Sequence, residues 1–168
     1  MIQQLASAHI GATFNQYEAS ALLRCRLADY LACRAQAQLL LVGEAAGYRG
    51  ARLSGIPFTS ERQLTGRGPA EASATIVHRV LDELDLEEQV LLWNVVPTHP
   101  HRPGEPQSNR RPRADEIEAS RPFLEQLAAG RHLVPVGRIA EAVTGKAGIR
   151  HPSHGGAQEF RAGLSALV

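Results

Sequence analysis

Two apolar runs, the second broken only by Asn94, limit what this chain can fold into. Leu39-Leu40-Leu41-Val42 and Val90-Leu91-Leu92-Trp93-Asn94-Val95-Val96 lack the alternation of a strand with one wet face. Such runs suit parallel strands covered by helices on both sides. The intervening segments read as helices. Asn15–Gln36 carries Ala19, Leu22, Leu23, Leu27, Tyr30 and Leu31 on one face, and Glu71–Leu86 carries Ile76, Val77, Val80, Leu81 and Leu84. Ala114–Ala129 is a further helix, stopped by Gly130. Arg138 to Thr144 and Gln158–Leu167 complete the set. His132 to Gly137 is a third strand, and Pro135 suits an edge or irregular position within it. Ile149–Ser153 reads as a short fourth strand. The order α-βα-βα-βα-βα predicts an α/β fold, a three-layer α/β/α sandwich around a central four-stranded parallel sheet flanked by helices. Residues 1–168 are expected to form a single domain, with 1–14 partly mobile.

Composition narrows the function classes by exclusion. The chain has 168 residues, 43% of them apolar, which suffices for one sizeable core. No apolar run approaches the roughly 18 residues of a membrane span. The N-terminus lacks a basic start followed by an apolar core, so a cytoplasmic location is the expectation. Two cysteines, Cys25 and Cys33, lie eight positions apart on one predicted helix, a spacing unlike that of zinc or iron–sulfur ligands. No metal and no cofactor are expected. The net charge of +1 leaves a nucleic-acid partner open, so the distribution of charge matters more than its sum. There are 17 arginines and one lysine, Lys146. A lysine Schiff base would have to use Lys146 or the terminal amine.

Unusual polar residues fall where the strands end. Glu44 follows the first strand, Asn94 interrupts the second, and His151-Pro152-Ser153 closes the fourth. In an open parallel sheet these ends share one edge, where ligands bind. Gly43 ends the first strand there, and a long loop over residues 44–69 adds Gly47, Tyr48 and Phe58 to the same edge. A second loop, 97–112, is rich in Pro, His and Arg. Each residue also has an ordinary reading: Asn94 as a satisfied core amide, His151 as a strand cap, Phe58 as core, Glu44 as a surface carboxylate. Their convergence on one edge favours a shared pocket.

Four ordered segments resemble the uracil-DNA glycosylase superfamily over about residues 39–164. They are Gly43-Glu44-Ala45-Ala46-Gly47, Ile56-Pro57-Phe58-Thr59-Ser60, Leu91-Leu92-Trp93-Asn94-Val95-Val96-Pro97 and His151-Pro152-Ser153. Gly137-Arg138-Ile139-Ala140 is similar to the family's helix start before the last of these. The resemblance implies hydrolysis of the bond between a damaged base and deoxyribose. It implies that Phe58 stacks on a flipped base, Asn94 reads its Watson–Crick edge, and His151 stabilises the leaving base. Gly43, Ala45, Gly47 and Tyr48 would complete the base pocket. Two departures stand out. Ala45 occupies the position where the best-studied branch has a water-orienting aspartate, which shifts that role to Glu44, with Asn94 or His99 as alternatives. Gly47 replaces a tyrosine that excludes thymine, and Tyr48 would fill part of that space. Ala46 replaces the proline of the iron–sulfur branch, whose cluster cysteines are missing.

The resemblance implies a partner: DNA containing uracil or a related damaged base, bound by a monomer without a membrane. Backbone donors for that DNA are expected from Ser60, Arg62, Ser73, Arg102, Arg110, Arg111, Arg138, Ser153 and His154, aided by helix N-termini near Ser73 and Gly137. His99 and His101 alternate like metal ligands, but no clear third ligand accompanies them. A relative that binds nucleic acid or a free base without turnover is the alternative, favoured by Ala45 and Ala46.

Overall fold

The computed structural model describes residues 1–167. Its elements are α1 (Ile2–Ser7), β1 (Thr13–Phe14), α2 (Gln16–Ala19), α3 (Ala21–Cys33), β2 (Leu39–Ala45), α4 (Ala51–Ser54), α5 (Glu61–Thr65), α6 (Ala72–Glu83), β3 (Val90–Val96), β4 (His99–Pro100), α7 (Ala114–Ala128), β5 (His132–Pro135), α8 (Arg138–Thr144) and α9 (Ala157–Ser165). The main sheet is parallel, with order β3-β2-β5. All seven residues of β3 are buried, and the strand's alternating side chains feed two cores. Leu40, Val42, Leu91, Trp93 and Val95 pack under α1, α3 and α7. Leu39, Leu41, Val90 and Leu92 pack under α6 and α9. A strand needs a continuous apolar run because both of its faces are covered in this way.

Among the described residues the main sheet has three strands, not the expected four. Ile149 makes a single parallel bridge to Val136, through Ile149 N–H to the Pro135 carbonyl and Gly137 N–H to the Ile149 carbonyl. Pro152, which has no N–H, follows shortly after, and the segment leaves as a loop. Pro135 sits on edge strand β5, as its missing donor requires.

The N-terminal segment is packed rather than loose. Leu5 is fully buried, and the Asn15 amide donates to the Leu5 and Ala8 carbonyls. β1 then pairs antiparallel with β4, matching Thr13 to Pro100 and Phe14 to His99, so the first residues brace the Pro- and His-rich loop. The expected helix over 15–36 is two helices. Asn15 caps α2 and Ser20 caps α3, each accepting from backbone N–H groups of the following turn. The long loop after β2 carries α4 and α5. Both cysteines of α3 are exposed.

Candidate active site

The C-terminal edge of the main sheet opens into a cavity of about 360 Å³, lined in part by Glu44, Gly47, Phe58, Asn94, Arg111 and His151. A second cavity of about 510 Å³ shares Glu44, Arg111 and His151 and adds Arg138 and Ser153. Three residues thus line both cavities, and the expected pocket residues come together from four separate segments.

Asn94 sits opposite Gly43 in the β2–β3 ladder and is 4% exposed. Its amide lines the first cavity, and it makes no side-chain hydrogen bond among the described residues. Its polar atoms are open to that cavity rather than sealed in the core, so both the donor and the acceptor of the amide are free to pair with a ligand there.

Phe58 lies against Gly43. A methyl group on Gly43 would sit 2.7 Å from Phe58 Cε2 and 2.8 Å from Asn94 Oδ1, with the ring tip closer still. Only glycine lets the aromatic ring and the amide meet over the strand. Phe58 has φ +52°, a left-handed conformation that costs a bulky residue about 1–3 kcal/mol. The buried Ser54 hydroxyl holds that turn. It accepts from Ile56 N–H at 3.0 Å and lies 2.6 Å from the Thr59 carbonyl. Thr59 is tied in turn to His78 Nε2 at 2.9 Å, and His78 Nδ1 lies 2.8 Å from Glu87. Strain at Phe58 is therefore sustained by a network that aims its ring into the cavity.

His151 is half-buried, and its ring centroid is 6.3 Å from that of Phe58. Nδ1 accepts from Ser153 N–H at 3.2 Å and lies 2.8 Å from the Ser153 hydroxyl. Burial lowers the pKa, helped by the charges of Arg150 and His154, so the ring is neutral at neutral pH. With Nδ1 engaged as acceptor, the ring proton belongs on Nε2, which makes that edge a hydrogen-bond donor. Burial raises the Glu44 pKa, opposed by the nearby positive charge of Arg111. Glu44 lies between the two cavities.

Other expected residues fall elsewhere. Tyr48 does not line the cavity; its ring lies under the Arg52 guanidinium at 5.0 Å, and its N–H donates to Asn109. His99 is fully buried and lines neither cavity. Its Nδ1 lies 2.8 Å from the Ala46 carbonyl, which makes it a support for the strand-end turn. Ser60 is fully buried, with its hydroxyl 2.9 Å from Gln63 Oε1 in a helix-capping arrangement, so it has no route to a phosphate. Arg110 reaches the cavity wall, but its guanidinium is paired with the fully buried Glu116. Ser73 lines the first cavity. Arg62, Arg102 and His154 are exposed and lie outside both linings. Among the described residues no group of three His, Cys, Asp or Glu side chains is placed to hold a metal.

Sequence reasoning missed Glu71 and Asn109, both in the cavity wall. Neither carries a local signal. Glu71 reads as the ordinary first residue of a helix and Asn109 as loop.

The family model for the uracil DNA glycosylase superfamily matches residues 31–163. The chain belongs to this superfamily. The superfamily's members act on DNA, and membership supports a DNA glycosylase hydrolase at that level. The crystal structure of wild-type Pedobacter heparinus SMUG2 superposes with a TM-score of 0.68 at 14% identity, covering 99% of this chain and 95% of that one, so the fold shared with that protein takes in the N-terminal helix as well. No curated protein sequence matches the chain. Among the described residues no helix is long and apolar enough to cross a membrane.

Proposed function

We propose that the chain is a monofunctional glycosylase that hydrolyses the N-glycosidic bond of uracil in DNA, and of other deaminated bases that fit the same cavity. The observation that carries this reading is the unpartnered Asn94 amide, fixed in a buried strand beside the Phe58 ring. An amide both donates and accepts, which suits the N3–H and O4 of uracil. The base must leave the stack at a cost of a few kcal/mol, and stacking on Phe58 offsets part of it. As the bond to the sugar breaks, negative charge gathers on O2. The neutral His151 ring, with its proton on Nε2, supplies a donor there without adding a proton to be lost. Positive charge grows on the sugar. Ionised Glu44, between the two cavities, stabilises that charge and orients the attacking water.

The base occupies the first cavity, and the sugar-phosphate runs along the second, past Arg138 and Ser153. Arg111 serves both. The protein acts as a cytoplasmic monomer. An oligonucleotide carrying one uracil tests the reading. Release of free uracil with the strand left intact at an abasic site is expected. No release at micromolar folded enzyme, from single- or double-stranded DNA, would overturn it. Tight binding of that DNA without turnover would instead establish the non-catalytic alternative.

A further inference from the structure

Glu71 stands where no local sequence rule would put a half-buried carboxyl. It is the N-cap residue of α6, yet its side chain makes no capping bond. The carboxyl group turns instead onto the backbones of Gly47 and Gly50. A methyl on Gly47 would lie 3.3 Å from the Glu71 carboxyl carbon and closer to one oxygen, and a methyl on Gly50 would lie 2.8 Å from the same carbon. Two glycines therefore form a cradle that the carboxyl fills. Among the described residues neither oxygen has a hydrogen-bond or ion-pair partner, and burial alone pushes its pKa up. A side chain held so tightly, unpaired and facing the first cavity, occupies space that a ligand would otherwise take.

The position of that space on a bound base follows from the sheet. His151 lies beyond β5, packed against Gly137. Gly43 and Glu44 are on the central strand, and Asn94 is on β3. The Ala46 N–H bonds the Val96 carbonyl, so Gly47 lies over the end of β3. With a base posed as proposed above, O2 at His151 and N3 and O4 at Asn94, the next ring position, C5, falls toward Gly47. We propose that Glu71 is the specificity-determining residue of this cavity, filling the space beside C5 and rejecting pyrimidines that carry a C5 methyl. The proposal rests on the reading that the cavity takes a uracil-like base.

The test compares wild type, Glu71→Ala, Glu71→Asp and Glu71→Gln. Excision of uracil and thymine is measured from otherwise identical duplexes, with folding checked by circular dichroism. Glu71→Ala should raise the thymine-to-uracil ratio of kcat/KM by roughly 10- to 200-fold, the range for admitting one methyl group. Glu71→Asp should shift the ratio in the same direction by less. Glu71→Gln, of equal size, should keep the wild-type ratio. A merely structural role would lower both rates together and leave the ratio fixed. Titration of free uracil and free thymine, followed by NMR, gives a second readout that needs no turnover. If wild type releases no uracil, the functional reading falls, while the change in free-base preference on Glu71→Ala still decides the role of Glu71. An unchanged ratio in both Glu71→Ala and Glu71→Asp, equal handling of thymine and uracil by wild type, or no binding of either free base would overturn the proposal.

Discussion

Gly43→Ala adds one methyl group at the place where the base-stacking ring and the base-reading amide meet. The added carbon would lie 2.7 Å from Phe58 Cε2 and 2.8 Å from Asn94 Oδ1. Carbon atoms pack best at about 3.5–4.0 Å, so the ring must retreat by roughly 1 Å. Retreat into the protein is blocked, because Phe58 is 8% exposed and packs with the core under α6 and α9. The remaining direction is into the cavity, where the base would lie. Asn94 cannot move freely either, since its backbone is paired in the ladder opposite Gly43. A misplacement of about 1 Å costs on the order of 100-fold in rate, or about 2.7 kcal/mol in the barrier. Overpacking costs about 1–3 kcal/mol of stability, toward the lower end if the ring yields into the open cavity. Gly43→Ala should therefore fold, melt modestly lower, and lose about two orders of magnitude in kcat/KM on a uracil oligonucleotide. Single-turnover excision and urea denaturation measure the two effects. Excision at the wild-type rate by the folded variant would refute the reasoning, because the ring and amide would not then define the base site.

Asn94→Ala should lower kcat/KM by roughly 100-fold or more with little loss of stability, because it removes an amide that faces the cavity and bonds no other side chain or backbone group among the described residues; excision assays and denaturation check both halves. Ser54→Ala should cost about 1–3 kcal/mol, since it strips partners from Ile56 N–H and the Thr59 carbonyl in a buried turn, and it should also slow excision by loosening Phe58; unchanged stability in urea would count against the clamp. Arg110→Ala should destabilise by about 3 kcal/mol or more, because it leaves the fully buried Glu116 carboxylate without its partner; a shift in the urea midpoint measures it. Glu71→Gln should stabilise the protein at pH 7.5 and lose that advantage near pH 4. Burial raises the folded-state pKa of Glu71, so wild type bears the cost of the ionised group above that pKa and sheds it as pH falls toward the unfolded value near 4.5; a stability difference independent of pH would contradict the assignment.

The depressed His151 pKa and the raised Glu44 pKa have opposite linkage. As pH falls below 6.5, the unfolded chain takes up a proton that folded His151 refuses, so this group withdraws stability until its folded pKa is passed. Glu44, raised by burial, binds its proton earlier when folded and adds stability as pH falls toward 4.5. The site thus exchanges fold stability for a neutral donor and a desolvated carboxylate side by side at neutral pH.

The sequence by itself determined the layered α/β class, the two apolar strands β2 and β3, and the gathering of Glu44, Phe58, Asn94 and His151 around one cavity at the sheet edge. Short apolar runs with no alternation, set between helical patterns, suit strands covered on both faces, and polar residues at the ends of such strands fall on one sheet edge. Tertiary structure decided the rest. Ile149 makes one bridge to Val136 and the segment then leaves the sheet, with Pro152, which has no N–H, close behind. The first 14 residues had no visible periodicity, yet Leu5 and the pairing of β1 with β4 bind them to the core. Ser60 and Arg110 looked like DNA contacts by residue type, but a helix cap and a buried Glu116 had already claimed them. Glu71 was invisible for the opposite reason. Its role depends on two glycines more than 20 positions away, whose missing side chains leave the space its carboxyl fills. Periodicity and residue type report what a segment does to its own backbone and which face it buries. They carry no information about which distant groups compete for the same polar atom or the same empty volume.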